Sequence, residues 1–113
     1  MSTPTYSEQI TTEASSWPGV EAVPHRFGGT EFRLGRRELG HIHGDQIADL
    51  PLPRQARDEL IADGRAQVHR WRPDTGWVTI PLTSQSAATD VIELLRDAYE
   101  RARRARGRRG PTG

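Results

Sequence analysis

Cysteine is absent from the 113 residues, and so is lysine. The first absence excludes disulfides, thiolate metal ligands and cysteine nucleophiles. The second excludes Schiff-base chemistry on a lysine and leaves all 16 basic residues as arginine, which GC-rich coding explains without any function. Long apolar runs are missing as well. No stretch reaches membrane-spanning length, and no basic region followed by an apolar one opens the chain, so a cytoplasmic location and no membrane partner are expected. Phosphate cradles are also lacking: Gly28-Gly29 and Gly44 are placed as turn residues and neither opens a helix, so there is no nucleotide cofactor motif. There is no nucleophile–base–orienter signature either, and these two absences weigh against an enzyme.

What is present fits one small domain. Hydrophobic residues make up 34% of the chain and charged ones 27%, enough for one modest core and not for two. The net charge of +1 conceals an asymmetry: residues 101–113 carry six arginines and no acid, and the preceding hundred carry ten arginines against all 15 acids. The folded part is therefore acidic. Its basic end, expected to be disordered, could contact nucleic acid weakly and without sequence preference. This divides the chain into an N-terminal segment (1–16) with a short helix, one domain (17–100) and an Arg-rich tail (101–113).

Ser7 to Ser15 has the spacing of a helix with Ile10 and Ala14 inward, stopped by Trp17-Pro18-Gly19. Strands are expected at Val20–Phe27, Glu31–Leu34, Arg37–His43 and Gln46–Leu50, joined by short glycine-bearing turns into an antiparallel meander. Pro51 and Pro53 end the meander and start a helix over Arg54–Ala62. Ala66–Trp71 and Trp77–Leu82 are two more strands. Ala88, Val91, Ile92, Leu95, Ala98, Tyr99 and Ala102 then recur at helical spacing, the strongest periodicity in the chain. The predicted fold class is α+β: a two-layer sandwich with an antiparallel sheet of about six strands, helices on one face, in the order α-ββββ-α-ββ-α.

Strand parity then predicts a site. Successive side chains in a strand point to opposite faces, so Phe32, Leu34, Ile42, Val68, Val78, Ile80 and Leu82 belong under the helices. Glu31, Arg33, His41, His43, His69, Trp71 and Trp77 belong on the open face. A His-x-His pair and a third histidine from another strand can hold a divalent metal, carry protons, or hydrogen-bond in a purely structural way. Glu38 falls on the opposite face in the simplest register, so a carboxylate for a two-His-one-carboxylate site would come from Glu31 or Asp49. Trp77, with Trp71 beside it, either stacks a flat conjugated ligand or merely covers the sheet. Asp49 and Arg57 either cap and pair at the start of the second helix, or Arg57 offsets a ligand's negative charge.

The segments Trp17-Pro18-Gly19-Val20, Phe27-Gly28-Gly29-Thr30-Glu31-Phe32, Glu38-Leu39-Gly40-His41-Ile42-His43-Gly44-Asp45 and Asp49-Leu50-Pro51-Leu52-Pro53 stand in a familiar order. Arg57, Gly64-Arg65-Ala66, His69, Gly76-Trp77-Val78 and Tyr99 follow them. Together they resemble a family of small bacterial proteins that share a domain with the fungal luciferases, over roughly residues 17–100. In fungi the similar domain acts on a hydroxylated styryl-pyrone with molecular oxygen and emits light. For the small bacterial relatives the resemblance implies a domain of unestablished substrate.

Two functions follow as expectations. One is a small, oxygenase-like oxidoreductase or other enzyme holding a flat aromatic or enolic molecule, with catalytic His41, His43 and His69 and ligand-binding Trp77, Arg57, Asp49 and Glu31. The same three histidines are the candidate metal ligands. The alternative is a non-catalytic module whose sheet face binds a small ligand, nucleic acid or a protein partner.

Overall fold

In the computed structural model, residues 3–25, 28–69, 71 and 75–109 are described, the side chains of 108 and 109 excepted. The first helix, α1 (Tyr6–Ser15), begins at a capping box: the Thr5 hydroxyl accepts from the Glu8 N–H, and the Glu8 carboxylate accepts from the Thr5 N–H. Four strands follow, β1 (Val20–Pro24), β2 (Thr30–Leu34), β3 (Arg37–His43) and β4 (Ile47–Pro51). Then come α2 (Arg54–Ala62), a short β5 (Gln67–Val68), β6 (Trp77–Pro81) and the long α3 (Gln85–Arg109). The sheet is antiparallel throughout, in the order β1-β2-β3-β4-β6-β5.

The expected α+β architecture is the one observed. Helices α1 and α3 pack together, and α3 lies across β3, β4 and β6. Beneath them Phe32, Leu34, Ile42, Leu50, Val78 and Ile80 are buried with Val91, Leu95 and Tyr99 of α3. Leu60 of α2 joins the same core, and the Tyr99 hydroxyl donates to the Pro18 carbonyl (2.7 Å), tying the last helix to the turn before β1. Among the described residues no helix is long and apolar enough to cross a membrane.

The structure departs from the expected elements in places that matter. Strand β1 ends at Pro24, where a proline cannot donate to a sheet ladder, and the His25 backbone N–H donates to Gly29 O (3.1 Å); Arg26 and Phe27 of the expected strand lie outside the described residues. The expected strand Ala66–Trp71 shortens to Gln67–Val68, and Val68 is 42% exposed instead of buried. Helix α3 runs to Arg109, well into the segment expected to be disordered. Alanine and arginine are strong helix formers, and the apolar stripe of Ala98 and Ala102 continues to the half-buried Ala105. Residues 110–113 lie outside the described ones.

Candidate functional site

Pairing from strand to strand sets Val23, Glu31, His41, Asp49, Thr79 and Gln67 in one line across all six strands, on the face away from α1 and α3. The centre of that line is charged or polar, yet it is not open. His41 is only 8% exposed, Asp49 3% and His69 7%. The expected uncovered face is therefore a closed polar cluster, because the aromatic and imidazole rings cover one another. His25 stacks on His41 with centroids 4.0 Å apart and planes 23° apart; the Trp77 ring lies 5.5 Å from His41, and His43 meets His41 edge-on at 4.9 Å.

Asp49 is the hub. Its Oδ2 is 3.1 Å from His41 Nε2, 3.3 Å from His43 Nε2 and 3.6 Å from His69 Nε2, and its Oδ1 accepts from the Thr79 hydroxyl at 2.6 Å. Burial alone would raise the Asp49 pKa, but the bonds from His41 and Thr79 and the nearby positive charge bring it below the usual carboxylate value. His41 is held from both ends, because its Nδ1 is 2.6 Å from Glu38 Oε2. Burial disfavours its charge; the hydrogen bonds to Asp49 and Glu38 outweigh that and lift its pKa to about 9. At neutral pH His41 is thus an imidazolium with both N–H groups aimed at carboxylates. His25 is pushed the other way, first by burial and then by the charge on His41, with Glu38 and Glu31 opposing. A neutral ring stacked on a charged one is the favourable arrangement here.

Glu38 was expected on the opposite face, and a β-bulge moves it. Phe32 pairs with Gly40 but Arg33 pairs with Glu38, so Leu39 is an extra residue on β3. Its side chain is buried in the core, and the strand's parity shifts by one before it. A glycine inside a strand is the sequence mark of such a place. A Cβ on Gly40 would lie 2.9 Å from Leu50 Cδ2 and 3.0 Å from Leu95 Cδ2, so its absence also lets α3 approach the sheet. His25 is the other member that sequence reasoning passed over, whereas strand parity already sets Thr79 on the same face as Trp77. His25 shares parity with Val23 just beyond β1, and Thr79 lies between the two core residues Val78 and Ile80.

The remaining expected site residues divide. Trp77 lies against His41, and also 6.1 Å from His69, as parity required. His69 belongs to the cluster: its Nδ1 accepts the Trp71 backbone N–H (3.3 Å), which leaves the hydrogen on Nε2, facing Asp49. Trp71 itself is 73% exposed. Glu31 approaches His25 (3.9 Å) and bonds Arg33. Arg57 does not pair back to Asp49; its guanidinium bonds Asp58 (2.6 Å), and Asp49 is held by imidazoles and Thr79 instead.

The expected metal triad of His41, His43 and His69 does not form a cage for an ion, since a carboxylate oxygen stands at the point on which their Nε2 atoms converge. A different trio, His25, His41 and His43, brings ring nitrogens within 4.8 Å of one another, as His25, Glu31 and Glu38 do with one atom each. An ion must lie in the plane of each ring about 2.0–2.1 Å from its nitrogen. The His25 and His41 planes are stacked 23° apart, and both His41 nitrogens face carboxylates, so an ion there would have to displace those partners.

A search of curated proteins and of solved structures finds no match to the chain. The model of the Luciferase domain matches residues 36–98, more than half of the sequence and the span that contains Glu38, His41, His43, Asp49, His69, Trp77 and Thr79. The chain belongs to the luciferase domain family.

Proposed function

We propose that this domain binds a flat, conjugated enol or phenol beside Trp77 and takes its acidic proton at His43. The observation that carries this reading is the difference among the three imidazoles around Asp49. His41 and His69 are buried, whereas the His43 side chain is 27% exposed. His43 Nε2 lies 3.3 Å from Asp49 Oδ2, so in this reading the partly exposed imidazole is the proton acceptor and Asp49 the group that orients it. The imidazolium of His41 lies against the same rings and offsets the charges of Asp49 and Glu38, which lowers the repulsion an anion formed there would meet. An enolate is the electron-rich form that molecular oxygen attacks, so O2 is the co-reactant by analogy with the fungal domain.

Hydroxylated pyrones and simple phenols change absorbance on ionisation, which makes the reading measurable. Titration of wild type with a hydroxypyrone should show the ionised spectrum at a pH where the free compound is protonated. His43→Ala should bind but leave the spectrum unshifted, and Trp77→Leu should weaken binding about tenfold. A bound pyrone that keeps its solution pKa on wild type rules out the proton-abstraction role.

A second reading rests on the saturation of His41 and Asp49, whose polar atoms are engaged within the protein. In that reading the cluster is a polar core and the module binds without catalysis. Wild type that binds a pyrone with no ionisation and no oxygen consumption supports it.

A further inference from the structure

At the far end of α3, two arginine-bearing segments distant in sequence meet. The β2–β3 turn and the first residue of β3 contribute Arg36 and Arg37, and the last turns of α3 contribute Arg101, Arg104 and Arg106. They are close in space: a methyl group on Gly35 would sit 3.6 Å from Arg106 Nη1. Between them lies a cleft of about 450 Å³, with the buried Leu34 and Ala102 and the half-buried Ala105 as its floor and Arg36, Arg37 and Arg106 at its rim. The three rim arginines are exposed. Arg101 beside them has its pKa lowered, by burial above all; Asp97 opposes this, and the neighbouring charges of Arg37 and Arg104 add to it.

An apolar floor ringed by guanidinium groups is suited to a molecule with an apolar body and an anionic head, since each fork takes two oxygens of a carboxylate or phosphate. The volume is within the range of small-ligand sites. We propose that this cleft binds an anionic amphiphile, its head on Arg36, Arg37 and Arg106 and its apolar body over Leu34, Ala102 and Ala105. The site is separate from the histidine cluster, on the helix-covered side of the hairpin. A nucleic acid would use the same arginines but not the floor, and the acidic balance of residues 1–100 works against a long polyanion.

The test is calorimetric titration of the full chain with octyl phosphate and octanoate below their micelle concentrations. Inorganic phosphate, the neutral octyl glucoside and single-stranded oligothymidylate are the comparisons. Either octyl anion should bind at least about tenfold more tightly than inorganic phosphate or the glucoside. Arg37→Ala with Arg106→Ala should weaken it about tenfold or more, and Ala105→Glu, which sets a carboxylate in the floor, should do the same. Circular dichroism establishes that each variant is folded, and the rim variants concern exposed side chains. Three results overturn the proposal: octyl anions binding no better than inorganic phosphate, affinity unchanged in the rim double variant, or oligothymidylate outcompeting the amphiphile for the same arginines.

Discussion

The two faces of this one sheet are built from alternate residues of the same strands, and they are closed by different forces. Under α3, Ile42, Leu50, Val78 and Ile80 are removed from water by packing against Val91 and Leu95. On the other face His41 and Asp49 are nearly as inaccessible, but there hydrogen bonds and opposite charges compensate for lost hydration. The first face needs only shape and apolar area. The second needs every partner in place, because a buried charge left unpaired costs far more than a small cavity. Burial by itself therefore says little about role, and the chemistry-bearing face is the one whose closure depends on protonation.

Neighbouring residues on opposite faces give the strongest test. Asp49→Ala leaves the His41 imidazolium with one carboxylate and should cost about 3–5 kcal/mol in urea unfolding near neutral pH. Leu50→Ala, one residue along and facing α3, should cost about 2–4 kcal/mol. The two separate at high pH. Above the His41 pKa of about 9 the attraction to Asp49 is gone, so the Asp49→Ala penalty should shrink while that of Leu50→Ala stays constant. Equal pH dependence in both would mean that His41 is not charged in the folded protein.

Wild-type stability should carry the same signature. Because the folded-state pKa of His41 is raised from 6.5 to about 9, its contribution is complete below pH 6.5 and is lost as the pH rises through 9. The loss is at most roughly 3 kcal/mol, and His41→Gln should flatten that limb. Asp49, whose pKa is lowered from 3.8, contributes above that value and loses its contribution as the pH falls below it. These two limbs report largely one interaction and do not add.

Gly40→Ala tests the seam between the faces. The added methyl meets Leu50, Leu95 and the Asp49 carbonyl, so about 1–3 kcal/mol of destabilisation is expected. If the bulge resets, Glu38 should also leave His41, visible as a lower His41 pKa by NMR titration. Trp77→Leu should have the smallest effect on folding, about 1 kcal/mol, and its consequence should appear in pyrone binding instead.

Much of this was legible in the chain itself. Alternation in Trp77–Leu82 assigned Val78 and Ile80 to the core, and the period of Ala88–Ala102 assigned the covering helix, because burial of an apolar face is a local pattern repeated along an element. His41, His43, His69 and Trp77 were placed on one face by the same rule. Two members escaped it for physical reasons. The extra residue at Leu39 reverses parity, and only pairing with β2 reveals that Glu38 has changed sides. His25 joins by stacking on a ring sixteen positions later, a contact with no sequence period.

What the sequence determined alone was the alternation of apolar and polar residues, and hence the sheet, its helical cover and the side on which the imidazoles fall. Only the tertiary structure decided that Asp49 would be their common partner, that His41 would carry charge between two acids, and that arginines from the β2–β3 turn and α3 would share a cleft. The reason is range. Periodicity is a property of neighbours along the chain, whereas protonation and charge density depend on distances between residues that the fold alone brings together.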